Sequence, residues 1–450
     1  MSKFIQADQN QPLLLPPDLR EWIPEDDLAH FILEAVKRVP LERFKVNRRR
    51  TGSAQYHPQM MLALLIYCYA NGIFGSRRIE RATYRDIGVR FITADTHPDH
   101  DTICTFRRVN GEAISEAFLQ VLLLAKELKL LKVGMVSVDG TKMDANANKH
   151  RSVRYDRAQS LRGQLELDIA DLMEQAESTD KQDAADPQSL PEEISQRKKL
   201  LEKMDAACDR LEKQAKAQAE REQEEYRKKL EERDKRSGKQ KGRKPKPPKE
   251  EPDPKEQTNL TDPDSRIMRK SKQHEYRQAY NAQAVVDADG SQLILGSRVS
   301  QCASDRNELQ ADIGTIPSQI GQAETVLADS GYANGKEVSD LQKQGVEVLV
   351  ATGAEGQRRA YDFRPPPEEE KEAKEPKADW LKEMQAALES EEGRRKYGLR
   401  KQTVEPVFGI IKSVLGFTQF QLRGLSKVAL EWDLVSLAYN CKRLHRLQLA

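Results

Sequence analysis

Three acidic residues sit where a chain could use them for chemistry. Asp139 lies near the C-terminal end of a short apolar run, Val133-Gly134-Met135-Val136-Ser137-Val138, and Asp329 closes a second, Thr325-Val326-Leu327-Ala328. Glu405 follows 76 residues after Asp329, in a stretch that also holds Tyr397, Arg400, Lys401 and Lys412. Three carboxylates on rigid elements can bind divalent ions. Magnesium prefers such oxygen donors to His or Cys and keeps part of its water. Two such ions about 4 Å apart can activate the attacking oxygen and stabilise the leaving one in an in-line displacement at phosphorus. Cutting or joining a phosphodiester is therefore the chemistry these residue types suit. The spacing predicts Lys401 one turn before Glu405, and Lys412 two turns beyond it on the same face, about 10 Å along a helix. Those cations and the Tyr397 ring could hold phosphates and stack beside a distorted DNA end. Taken singly, each acid has a plainer explanation. An Asp at a strand end is commonly a turn or cap residue, and Glu405 would suit a first helical turn through the helix dipole.

The elements around these acids have readable periods. Asp139 belongs to a strand over 133–145, Asp329 to the end of another, and Val346–Ala351 reads as a third. Tyr280–Val286 and Gln292–Gly296 alternate as strands around Asp287-Ala288-Asp289-Gly290, a hairpin turn sequence. Helices are expected at Arg306–Ile313 and Lys336–Gln344. Strand, insertion, two strands, then helices alternating with strands is an α/β layer arrangement. It matches an RNase-H-like mixed sheet flanked by helices. Pro406 directly after Glu405 suits a new helix capped by Thr403, or a kink.

Residues 1–130 read as a helical domain. Leu28, Phe31, Ile32, Ala35 and Val36 form an apolar stripe after Glu25-Asp26-Asp27; Met60–Tyr69 is apolar, Arg77–Tyr84 cationic, and Thr102–Val109 follows a cap at Asp101. Short helices with basic ends, Arg107 and Arg108 among them, suit a helix-turn-helix-like DNA-reading unit. His97-Pro98-Asp99-His100-Asp101 resembles a metal motif but reads as a turn and N-cap, which needs no ion.

The insertion spans 155–235. Ala158, Leu161, Leu165, Ile169, Leu172 and Ala176 repeat at helical spacing, and Asp180–Ser189 interrupts them. Ile194, Leu201, Met204, Cys208, Leu211 and Ala215 then recur about every 3.5 residues, a coiled-coil seam. An antiparallel helical hairpin is the simplest product. Residues 236–260, rich in Lys, Pro and Gly, are expected to be a disordered basic linker. The remaining domain, 131–154 with 261–450, would carry the three acids. Within it, 353–393 reads as a charged loop or small helical insertion around Pro365-Pro366-Pro367.

The chain of 450 residues is 32% charged and 38% apolar, with a net charge of +2, so it is not coated in positive charge. The cations are clustered instead: 394–450 holds eleven Lys or Arg against three Asp or Glu, the footprint expected for a phosphate backbone. The five cysteines are scattered without a C-x-x-C pair, which argues for a reducing cytosol rather than disulfides or a zinc ribbon. No apolar run reaches 18 residues and the first 26 lack an apolar signal core, so membrane spanning and secretion are disfavoured.

Four motifs together resemble a known family: Asp139-Gly140-Thr141-Lys142, Tyr280-Asn281-Ala282-Gln283, Leu327-Ala328-Asp329-Ser330-Gly331-Tyr332 and Val404–Lys412. The chain is similar to the bacterial insertion-sequence DDE transposases, in the group with a helical N-terminal domain and a Tyr-Arg-Glu-Lys signature. Pro98–Thr102 and Phe106–Arg108 add to the likeness, which covers most of the chain outside 155–260 and 355–390. The resemblance implies cleavage and strand transfer at the terminal inverted repeats, with Asp139, Asp329 and Glu405 holding two magnesium ions (manganese as a substitute). It also implies Tyr397, Arg400 or Lys401, and Lys412 as contacts to the transposon end, with Lys142, Arg107 and Arg108 as further DNA contacts. A homodimer or larger assembly on double-stranded DNA, transposon end and target, would follow. The chain departs from the signature in placing Lys401, not Arg, four residues before Glu405, and Lys lacks the bidentate fork of Arg. Its largest insertion also follows the first Asp. The alternative is a transposon-derived DNA-binding protein without catalysis; a coiled-coil scaffold would explain only 155–235.

Overall fold

A computed structural model describes residues 18–46, 54–180, 189–235, 246–269, 273–352 and 378–449. The chain divides into two compact units. One comprises Met1–Met143, Asn281–Leu422 and Ser426–Ala450, the other Asp144–Tyr280 with Arg423–Leu425.

The first unit begins with six helices: α1 (Leu28–Lys37), α2 (Pro58–Ala70), α3 (Ser76–Arg85), α4 (Ile87–Ile92), α5 (His100–Val109) and α6 (Gly111–Glu127). Asp27 caps α1, accepting from the Ala29 amide at 2.8 Å, and Ile32, Ala35 and Val36 are buried. Met61 to Ala70 are buried on every face of α2, against which α1, α4 and α5 pack. Asp99, not Asp101, caps α5: its carboxylate accepts from the Thr102 amide at 2.7 Å. The helix thus starts at His100, two residues earlier than the Asp101 cap allowed.

Strand β1 (Met135–Asp144) follows. The second unit then opens with the short β2 (Ser152–Arg154) and the long helices α7 (Tyr155–Asp180) and α8 (Ser189–Lys235). Contacts descend α8 as they climb α7: Tyr155 meets Glu212, Arg162 nears Asp205, and Arg197 nears Asp168. The two helices are therefore antiparallel. Ala158, Leu165, Met204, Ala207 and Cys208 form their buried seam with Val153; each large apolar side chain so covered is worth about 2 kcal/mol. Residues 181–188, the interruption between the helices, and 236–245 of the expected linker lie outside the described residues. The end of that linker is structured. Strand β3 (Gln257–Asn259) pairs antiparallel with β2, and β4 (Arg266–Met268) pairs antiparallel with the start of β5 (Arg277–Asp287).

From Asn281 onward β5 belongs to the first unit, where it pairs antiparallel with β6 (Ile294–Ser300). The sheet continues β5-β1-β7-β8, with β7 at Thr325–Ala328 and β8 at Glu347–Val350. β1 and β7 are parallel, as are β7 and β8. This α/β arrangement is an RNase-H-like core: an antiparallel hairpin beside parallel strands, with helices on the faces. Those helices are α9 (Leu309–Ile313), α10 (Gly335–Lys343), α11 (Asp379–Glu389), α12 (Glu391–Gly409) and α13 (Leu425–Leu449). Residues 353–377, with Pro365-Pro366-Pro367, lie outside the described residues. Asn440 of α13 completes the edge of β6, accepting from the Ile294 amide at 2.8 Å and donating to its carbonyl at 2.7 Å.

Thr403 does not begin a new helix. α12 runs unbroken past Pro406, and the Thr403 hydroxyl donates back to the Leu399 and Arg400 carbonyls. Pro406 cannot donate to the carbonyl four residues earlier, Gln402. The Gln292 side chain donates to that oxygen instead, at 2.8 Å, which satisfies the group the proline orphans. Immediately after α12, Ile410–Val414 widens into a π-turn.

Candidate active site

Strand register brings two of the acids together. Met135 pairs with Thr325, Val136 with Val326 and Ser137 with Leu327. Two residues further on each strand stand Asp139 and Asp329, neighbours at the C-terminal end of a parallel pair, where open α/β sheets bind their ligands. Val136 and Val138 are buried, as are Val326, Leu327 and Ala328, so both ends rest on core. α12 supplies the third acid, Glu405, and Tyr397 ties that helix to β7 by donating to the Ala328 carbonyl at 3.2 Å.

Arg400 decides the geometry. Its guanidinium lies 3.4 Å from the Asp139 carboxylate, 3.4 Å from Glu405 and 3.8 Å from Asp329. One planar cation thus reaches all three acids, residues 139, 329 and 405, from a nearly buried position (8% exposed). Its Nε is buried and has no hydrogen-bond partner. Burial pushes the Asp139 carboxyl up to about 6; Arg400 opposes the rise, while Asp329 and Asp305 add to it. The Asp139 carboxylate also accepts from the Gly140 amide at 2.8 Å, and Asp329 from the Gly331 amide at 2.8 Å. Burial likewise raises the Tyr397 phenol.

The donors are all carboxylate oxygens, the set that suits hard cations. Among the described residues no three His, Cys, Asp or Glu groups converge tightly enough to grip an ion as they stand. The Arg400 guanidinium occupies the space between them. The residues fit a divalent ion in kind and in shared location, with Arg400 as the resident positive charge.

Lys142 and Lys412 also come to this end of β1. Lys142 Nζ is 3.4 Å from Asp305, and Lys412 donates to the Thr141 hydroxyl and, at 3.4 Å, to the Lys142 carbonyl. Lys412 sits inside the π-turn, so it does not stand two regular α-helical turns beyond Glu405 as its spacing predicts. Lys401 is exposed on α12, one turn before the likewise exposed Glu405. Arg108 is exposed on α5.

Arg107 departs from its expected role as a DNA contact. It is 3% exposed and donates to the Tyr69 hydroxyl at 2.6 Å and the Phe74 carbonyl at 3.0 Å, with Glu431 at 3.7 Å. Phe106-Arg107-Arg108 reads as one basic helix end in sequence, yet adjacent helical residues point about 100° apart. Arg107 faces the core; Arg108 faces water.

Sequence reasoning missed Asp305. Asn281 and Gln283, two apart on one face of β5, both donate to it, at 2.6 and 2.8 Å. Gln283 in turn accepts from the Tyr332 hydroxyl. A Cβ at Gly140 would lie 2.5 Å from Gln283 and 2.7 Å from Asp305, so glycine is needed for this close approach beside Asp139. The alternation Asn281-x-Gln283 was the available signal; nothing in the sequence pointed to Asp305 as its target.

Two family models match the chain. One, described as a transposase DDE domain, covers residues 252–441. The other, described as a transposase domain (DUF772), covers 17–109. The chain belongs to the insertion-sequence DDE transposases. No curated protein and no solved structure gives a significant match. For this transposase the first matched stretch contains Asp329 and Glu405 but not Asp139, which the helical insertion separates from it in sequence. No helix among the described residues is long and apolar enough to cross a membrane.

Proposed function

We propose that this transposase cleaves DNA at the terminal inverted repeats of its element and joins the freed ends to target DNA, with Asp139, Asp329 and Glu405 as its metal-binding triad. The observation that carries the reading is the single Arg400 guanidinium within 3.8 Å of all three carboxylates. A site that gathers three acids around a permanent cation is built for positive charge.

In the first step water attacks phosphorus at the element's end. The new P–O bond forms as the bond to the 3′-oxygen breaks, and that oxygen takes a proton to become a 3′-hydroxyl. In the second step this hydroxyl, losing its proton, attacks a target phosphorus and displaces the target's own 3′-oxygen. Divalent ions held by the triad, magnesium or manganese, would supply nucleophile activation and leaving-group stabilisation. The chain's own residues position the phosphate. Lys142 brings an ammonium group to Asp305 and Lys412 another to Thr141, two residues along β1 from Asp139, Tyr397 donates to the carbonyl just before Asp329, and exposed Lys401 offers a point charge along α12. Arg400 holds the acids at a common centre. A homodimer or larger assembly pairing two ends completes the proposal.

The test is cleavage of a duplex carrying the repeat that flanks the gene, with and without magnesium. Asp139→Ala should lower cutting by at least about a thousandfold, some 4 kcal/mol of barrier, while the duplex still binds. Cutting that persists in this variant refutes the assignment.

A further inference from the structure

The His97–Asp101 turn, which the catalytic reading leaves unused, buttresses one face of α3. Around this helix Arg77, Arg78, Arg81, Tyr84 and Arg85 fall within an arc of about 120° at 100° per residue, and all are exposed. Ile79, Ala82 and Thr83, on the opposite side, are buried. Tyr84 is 59% exposed yet lies flat on His97, with ring centroids 3.8 Å apart and planes 15° apart. His97 is itself fixed by a 3.1 Å hydrogen bond with Thr83. His100 engages Glu80, the acid of α3, at 2.9 Å, which gives a fixed partner to the carboxylate that lines the same hollow as Arg77, Arg81 and Tyr84. None of the four arginines forms an ion pair with a described residue.

We infer that this face of α3 is a docking surface for duplex DNA, separate from the catalytic acids. Guanidinium groups match phosphate oxygens as a fork, and a pinned aromatic plate beside them suits a sugar or base face. Arg77 to Arg85 spans about 12 Å along the helix axis, similar to the roughly 12 Å width of the major groove. The two histidines fix Tyr84 and Glu80 before DNA arrives, so the ordering cost of binding falls on the arginines alone. The inference rests on the reading that this protein acts on DNA, but not on which acids cut it.

Fluorescence anisotropy tests it with the full chain, a labelled duplex of about 30 base pairs carrying the terminal repeat, and EDTA to prevent cleavage. Arg77→Ala/Arg81→Ala should weaken binding at least about tenfold and reduce the slope of log affinity against log salt by about two. Arg77→Lys/Arg81→Lys should keep most of that slope, and Tyr84→Ala should weaken binding without changing it. Unchanged affinity and slope in the Ala pair would overturn the surface. So would loss of binding matched by a lowered Tm in both pairs, or displacement of the wild type by polyglutamate or single-stranded DNA as readily as by duplex. Because no cutting is measured, a failure of the Asp139 assignment leaves this result standing, and the reverse also holds.

Discussion

Charge is handled in opposite ways by the sheet-bearing unit and the helical hairpin. In the first, Arg107 and Glu431 are 4% and 0% exposed at their side chains. Glu431 accepts from the Tyr69 hydroxyl and from the Gln421 and Leu422 amides, each within 2.9 Å. Arg400 is likewise enclosed by its three acids. Along the hairpin, Arg197 and Asp168 remain 36% and 43% exposed at 3.9 Å, and the buried seam there is apolar. A buried charge is worth keeping only where several partners converge on it, and convergence needs long-range folding. A solvated pair asks little of the fold and returns little.

The contrast can be broken most easily at Arg107. Arg107→Ala should cost about 3–5 kcal/mol, because Glu431 would keep a buried charge without its cation. Urea unfolding measures this, and a loss below about 1 kcal/mol would mean Tyr69 and the two amides suffice. Asp433 sharpens the comparison through pH. Burial raises its carboxyl from 3.8 to about 6, against a hydrogen bond from Ser297. The folded state therefore binds this proton more tightly than the unfolded chain, and the group's contribution is lost as pH rises from 3.8 to about 6. Asp433→Asn should be near neutral at pH 4 and stabilising at pH 8 by on the order of 2 kcal/mol; thermal melts at the two pH values read the difference. An equal effect at both would show that packing, not charge, governs the site. The smallest effect belongs to the hairpin, where Arg197→Ala should change stability by less than about 0.5 kcal/mol. A larger loss by the same melts would mean the hairpin depends on its surface pairs after all.

Periodic elements were legible before any coordinates. The stripe from Leu28 to Val36 became α1, the runs ending at Asp139 and Asp329 became β1 and β7, and Ala158, Leu165, Met204 and Cys208 of the α7–α8 seam meet in a buried cluster. Boundaries that hinge on one side chain were less so. The sequence pointed to Asp101 as the cap before Thr102, and only the helix start at His100 gives that place to Asp99. Pro406 looked like a helix boundary because its solution lies elsewhere: Gln292, distant in sequence, satisfies the orphaned Gln402 carbonyl. Arg107 and Arg108 are chemically equal as letters, and packing against α2 and α13 separates them. Arg400 and Lys401 were separated in the same way, Arg400 being nearly buried and Lys401 exposed.

Taken alone, the sequence determined which segments are helix or strand and which residues could bear chemistry, because side-chain period and cap preference act over a few residues. It also contained the family's motifs. Only the tertiary structure decided that Asp139, Asp329 and Glu405 share one cation, that Arg107 is sealed inside, and that α3 turns its arginines outward. Those outcomes depend on strand register and helix facing, which are set by the packing of the whole unit and cannot be summed from local preferences.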